Sequence, residues 1–171
     1  MIKLFEEFRK FPNVKDCSPE FWKMTRVANW KKVIDSSKKT QNGYKDKNEY
    51  DEVDKRLYTN YEYDQIKKFN SEYTYLYSDL YEWFEVVWLD KKYNKFMPSD
   101  DGYSDLISSV IGMGKKFTKD CIENPSVFID MAKNDNYFEN FGYLLQISKS
   151  EYIEIRSKYD PLFANTIKYN L

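Results

Sequence analysis

The stretch DQIKKFNSEYTYLYSDLYEWFEVVWLD, residues 64–90, decides how the rest of the chain is read. Ile66, Phe69, Tyr73, Leu76, Leu80, Trp83 and Val87 recur in steps of three and four, the spacing of one face of an α-helix. A second row, Tyr77, Tyr81, Phe84 and Trp88, lies beside the first, so apolar surface wraps well over half of the helix toward its C-terminal end. A helix apolar over so wide an arc belongs in the middle of a bundle or lies partly against another chain. It is read as the central helix. The three-four spacing lasts for only about three heptads and the flanking charges form no pairing ladder, so a coiled-coil dimer is the less favoured reading.

Downstream, residues 91–98 form a basic, turn-forming connection, and SDDGYSDLISSVIGMGKKF follows at 99–117. Ser99 or Asp100 can cap a helix here, and Asp100 and Asp101 suit the exposed amides of its first turn. Tyr103, Leu106, Ile107, Val110, Ile111, Gly114, Phe117 and Cys121 describe one face of a single helix. Gly112 and Gly114 each cost about 1 kcal/mol relative to alanine inside a helix. Two such costs in one turn predict close approach of a neighbour, and the aromatic central helix is the natural candidate. Asn124-Pro125-Ser126 then ends this helix and starts another. A further helix is expected over Tyr137–Ile147, one capped by Ser148 after it, and a last turn or two from Asp160-Pro161 to Tyr169.

Upstream, Ser18-Pro19-Glu20 is a helix start, and Phe21, Met24, Val27, Ala28, Trp30 and Ile34 carry that helix to about Ser37. Leu4, Phe5, Phe8 and Phe11 predict a short helix that Pro12 stops. Between these elements, Lys38–Asp54 is polar and reads as a loop leading into another helix; its charge run KDKNEYDEVDKR reads as a solvated face. Strand-like alternation is scarce and no repeat of fixed period appears. The expected fold is all-α: a single-domain bundle of about seven helices around the aromatic one. The expected divisions are a short N-terminal helix and connection (1–17), a core (18–147) and C-terminal helices (148–171).

Composition narrows function more than it assigns it. A chain of 171 residues that is 42% hydrophobic and 19% aromatic can bury a sizeable core. Twenty-seven basic and twenty-eight acidic side chains give a net charge of −1, without the basic excess that phosphate binding demands, so nucleic acid is not an expected partner. There is no histidine, which excludes serine–histidine and cysteine–histidine catalysis and histidine-bearing zinc sites. Cys17 and Cys121 have no metal or redox spacing, and the N-terminus has charges every few residues with no apolar run. A cytoplasmic protein in a reducing compartment is expected, with no membrane span, cofactor or metal.

The remaining candidate chemistry is carboxylate chemistry. Asp100, Asp101 and Asp105, together with Ser99 and Tyr103, form the candidate functional or capping motif. Oxygen ligands could hold a divalent cation or share a proton. Against this, SDDG lacks the alternating spacing of a calcium loop, and a helix N-terminus favours acidic caps while repelling cations. Two readings stand. The first is a small helical module that binds another protein, with an immunity or accessory protein that inhibits its partner as the specific case. The second is a carboxylate-based enzyme, or a small-ligand or divalent-metal binder, centred on Asp100, Asp101 and Asp105.

The segment from Ser99 to Val127 resembles the bacterial domain-of-unknown-function family 4240. That family's signature runs roughly S-D-D-x-F/Y, then D-F-R-x-W-L-I, a glycine three residues later and a D/N-P further on. Ser99, Asp100, Asp101 and Tyr103 match the opening, Asp105 the next acid, Ile111 and Gly114 the middle, and Asn124-Pro125 the close. Phe21-Trp22 is similar to the family's N-terminal F-W pair. Ile107 stands at the family's arginine position and Ser109 at its tryptophan position, so the family's arginine, a candidate partner for the aspartates, is absent here. The resemblance covers roughly residues 18–147 and implies a helical domain without implying a chemistry.

Overall fold

The computed structural model describes residues 12, 14, 16–37, 47–138 and 141–169. The N-terminal helix expected over 2–11 and most of the loop expected after Ser37 lie outside the described residues. Among the described residues the structure is helical, with no strand.

The first helix, α1 (Pro19–Ala28), starts where Ser18-Pro19 predicts, with the Ser18 hydroxyl accepting from the Phe21 amide at 3.2 Å. A second helix, α2 (Trp30–Ser37), follows, so the run expected as one helix is broken. The break is at Asn29, which adopts left-handed φ 52°. Asparagine tolerates that conformation and so serves as a C-cap. Next come α3 (Lys47–Asn60) and the central α4 (Tyr63–Trp88). The expected central-helix bounds of 64–90 thus fall within two residues of those observed.

A four-residue α5 (Lys91–Asn94) sits inside the expected connection, capped by the Asp90 carboxylate. It is followed by α6 (Asp100–Gly112), α7 (Lys115–Glu123) and α8 (Pro125–Lys133). Where a helix is expected over Tyr137–Ile147, the described residues hold one 3₁₀ turn, Phe141–Leu144, and no α-helix. The chain ends in α9 (Lys149–Tyr159) and α10 (Pro161–Tyr169). Ser148 and Glu151 form a reciprocal capping box at the start of α9, at 3.2 and 2.8 Å.

The core is centred on α4, whose Ile66, Phe69, Tyr73, Leu76, Leu80, Trp83 and Val87 are all buried, as are Phe84 and Trp88 of the second row. Against it pack α6 and the 3₁₀ turn. Phe84 stacks on Phe128 of α8, with centroids 3.7 Å apart and ring planes 7° from parallel. At the other end, Glu72 of α4 accepts from the Ser18 amide at 2.6 Å and the Ser18 hydroxyl at 2.9 Å, tying the start of α1 to the central helix. Arg56 of α3 donates to the carbonyl of Ala28 at the other end of α1, at 3.0 Å. Both termini of α1 are therefore satisfied from outside the helix.

The glycine pair has a different geometry from the expected one. Gly112 is the last residue of α6, and its close neighbour is Trp30 of α2 rather than the central helix. A Cβ there would lie 2.7 Å from Trp30 Cδ1 and 2.8 Å from Cγ. Gly114 is not inside a helix: with φ 93° and ψ 170° it separates α6 from α7, a conformation open to glycine almost alone. The Thr118 hydroxyl bridges the break by reaching the carbonyls of Val110 and Gly114, each at 3.1 Å.

Candidate functional site

The first turn of α6 places the SDDGY residues in two environments. Ser99 is the N-cap, its hydroxyl accepting from the Gly102 amide at 3.3 Å. Asp100 and Asp101 follow in that turn and are exposed. Tyr103, by contrast, is buried in the core and its hydroxyl donates to the Tyr81 carbonyl at 2.8 Å. Its ring lies 4.7 Å from that of Tyr81, with Trp88 and Phe128 each 6.4 Å away. Burial, with Tyr81 and Glu85 as lesser contributors, drives the Tyr103 phenol above its ordinary range, so it is neutral at any physiological pH.

Asp105, one turn on, is half-buried beside a group of tyrosines. Its charge acts on Tyr73 and Tyr77 of α4 and on Tyr137 after α8. Tyr77 is half-buried, interacts with Ser104 and lies within the field of Tyr81 and Tyr143. Burial first, then these neighbours, raises its phenol, with the Ser104 hydrogen bond opposing. The Tyr137 hydroxyl reaches the position a side chain at Gly102 would occupy, 3.1 Å from a Cβ built there. That close approach gives the glycine of SDDG a structural reason. Tyr73, Tyr77 and Tyr81 run along α4 as a ladder with centroids 5.7 and 6.0 Å apart. Tyr143, on the 3₁₀ turn, is 59% exposed at the edge of this face.

Two serines hold the face together. The Ser108 hydroxyl accepts from the Tyr73 hydroxyl at 2.9 Å and from the Gly142 amide at 3.2 Å. The Ser109 hydroxyl donates to the Phe138 carbonyl and accepts from its amide, each at 3.0 Å. Both serines are fully buried, and between them they fix Phe138 and Gly142 to α6. Position 109, where the family pattern has tryptophan, thus carries a backbone clamp in this chain.

The carboxylates of the motif do not form a metal site: among the described residues, no group of three or more acidic or cysteine side chains is placed to hold an ion. Both thiols are buried and pushed up to about 12, chiefly by burial, and so are poor nucleophiles. A carboxylate raised by burial, Asp54, is elsewhere, on α3 near Asp51 and Lys158. Burial, reinforced by Asp51, pushes it up to about 6. A cleft of about 400 Å³ opens between α2, α7 and α8, with Ile34, Met113, Phe117 and Met131 on its walls. Its rim charges are already engaged, Lys31 with Asp35 at 3.0 Å and Asp130 with Lys133 at 3.5 Å.

Sequence reasoning found Ser99, Asp100, Asp101, Tyr103 and Asp105 but missed the tyrosines that surround Asp105. Tyr77 and Tyr81 were readable as a second row on the central helix, whereas Tyr137 and Tyr143 reach the face only through the Ser108 and Ser109 clamps. No periodic pattern signals those clamps. Among the described residues, no helix is long and apolar enough to cross a membrane. A family model described as "Protein of unknown function (DUF4240)" matches residues 18–154. No curated protein and no solved structure matches the chain.

Proposed function

The chain belongs to the DUF4240 family, and we propose that its helical domain is a protein-interaction module whose contact surface is the tyrosine face around the start of α6. The observation that carries this reading is the gathering of Tyr77, Tyr81, Tyr137 and Tyr143 from α4, the segment after α8 and the 3₁₀ turn. Tyrosine brings a large apolar body and a polar tip at small entropic cost, which is why it is enriched where proteins meet. The supporting frame is tied together: the buried side chains of Ser108, Ser109 and Tyr103 on α6 hydrogen-bond to Gly142, Phe138 and Tyr81 of the other elements. An immunity or accessory protein, cytoplasmic and inhibiting the partner it binds, is the specific form of this reading. The carboxylate-enzyme reading has less support, because Asp100 and Asp101 point to solvent while Asp105 is turned among tyrosines.

A photo-crosslinking amino acid at position 143, compared with one at position 162, tests the reading in cells that make the protein. Leu162 on α10 is 80% exposed and remote from the face in sequence, and so serves as the control. A single partner captured from position 143 and not from 162 is the expected result. Capture from 162 alone, or from neither, contradicts the proposal.

A further inference from the structure

Resting on that reading of the tyrosine face, we propose that the partner segment it receives is basic, presenting lysine or arginine side chains to the rings of Tyr77, Tyr81 and Tyr143 and to the carboxylates beside them. Several of this protein's own cations lie over other rings. Half-exposed rings elsewhere carry them: Lys67 over Tyr63 at 5.9 Å, Lys92 over Tyr93 at 5.0 Å, Lys133 over Phe96 at 4.6 Å and Arg156 over Phe163 at 4.4 Å. Among the described residues no lysine or arginine lies over Tyr77, Tyr81, Tyr137 or Tyr143. The face of an aromatic ring is the negative end of its quadrupole and attracts a cation placed over it.

Several of the protein's ion pairs lie away from this face. Asp35, Asp120, Glu123 and Asp130 each have a lysine within salt-bridge distance. Asp100, Asp101, Glu85 and Asp135 have no such pair among the described residues. Glu85 acts on Tyr103 and Asp135 on Tyr137, and Asp100 and Asp101 directly precede Gly102, whose position the Tyr137 hydroxyl reaches. With a net charge of only −1 over the whole chain, this is a local surplus and not a general acidity. Rings with no cation over them and exposed carboxylates therefore lie together on one surface made from three elements. Such a surface complements a basic segment and repels an acidic one. The cleft between α2, α7 and α8 differs, since its rim charges are paired within the protein.

The test uses a fluorescein-labelled peptide of alternating lysine and glycine, and the same peptide with every lysine acetylated, in fluorescence polarisation titrations with the full chain. Acetylation keeps the length and removes the charge. The lysine peptide is expected to bind at low salt and the acetylated one to bind at least about tenfold more weakly, the factor that corresponds to ~1.4 kcal/mol. Tyr143→Ala and the pair Asp101→Asn with Glu85→Gln alter exposed side chains, and each is expected to weaken the lysine peptide about fivefold or more while leaving circular dichroism unchanged. Equal binding of the two peptides, or lysine-peptide binding indifferent to these variants, overturns the proposal. So does a partner crosslinked at position 143 through a segment without lysine or arginine, an outcome that leaves the interaction reading standing. Failure to crosslink at 143 at all overturns both.

Discussion

Gly112→Ala should destabilise this protein even though alanine is the better helix former. A Cβ at 112 falls 2.7 and 2.8 Å from two ring carbons of Trp30 and 3.1 Å from its Cβ, where ordinary contact begins at 3.4 Å. The ring must therefore retreat by about 0.6–0.7 Å. It has nowhere to go: Trp30 is fully buried, with Phe141 at 5.2 Å and Phe138 at 6.0 Å against it, both edge-on. Overpacking of this kind costs ~1–3 kcal/mol. The gain in helix propensity is at most ~1 kcal/mol, and less at the last residue of a helix. The net expectation is a loss of about 1–2 kcal/mol, or a fall of roughly 2–8 °C in Tm for a chain of this length. Thermal and urea unfolding followed by circular dichroism read it directly. In a Trp30→Leu background the same change meets a smaller side chain, so a double-mutant cycle should show coupling of ~1 kcal/mol or more. A rise in Tm for Gly112→Ala, or additive single variants, would refute the claim that this glycine exists to admit Trp30.

Other consequences follow from the same structure. Asp54 has its carboxyl raised from 3.8 to about 6 by burial and by Asp51, so the folded state holds its proton more tightly than the unfolded chain does. The stability this contributes is full below about pH 4 and is lost as pH rises through 6; Asp54→Asn should match the wild type at pH 4 and exceed its Tm at pH 7.5, a gap that differential scanning calorimetry resolves. Glu72→Ala removes both acceptors of Ser18 at the start of α1 and should cost about 2 kcal/mol in chemical denaturation, with Glu72→Gln retaining part of it. Cys17 and Cys121, buried and pushed up to about 12, should resist a thiol-specific disulfide reagent in the native protein and react fully in denaturant. Labelling of either in the native state would show that the structure around it opens.

Much of the fold was legible in the sequence because the central helix repeats its apolar spacing over its full length and the helix starts carry capping chemistry. Ser18-Pro19, Asn124-Pro125 and Ser148 with Glu151 all cap where those residues predict. The breaks were harder to see. Asn29 turns the chain without interrupting the apolar spacing, because Trp30, Val33 and Ile34 continue inward from α2. Gly112 and Gly114 look like one feature in sequence but serve two purposes, close approach at one and a positive φ at the other. The aromatic run after Tyr137 has helical spacing, yet buried serines of α6 take up the amides of Phe138 and Gly142 and hold the segment out of a regular helix. The candidate face is legible only in part for the same reason. Asp100, Asp101 and Asp105 lie close together in sequence, whereas half of its tyrosines come from a segment fixed by tertiary hydrogen bonds.

The most direct test of the tyrosine face as a binding surface is calorimetric titration of the partner captured at position 143 against the wild type and the Tyr77→Ala, Tyr143→Ala double variant. Removing central anchors of a protein interface costs about 2 kcal/mol or more, so the account predicts at least a ~30-fold loss of affinity. Leu162→Ala should change that affinity by less than about twofold. Equal affinities for the wild type and the tyrosine variant, with the variant folded, would contradict the account.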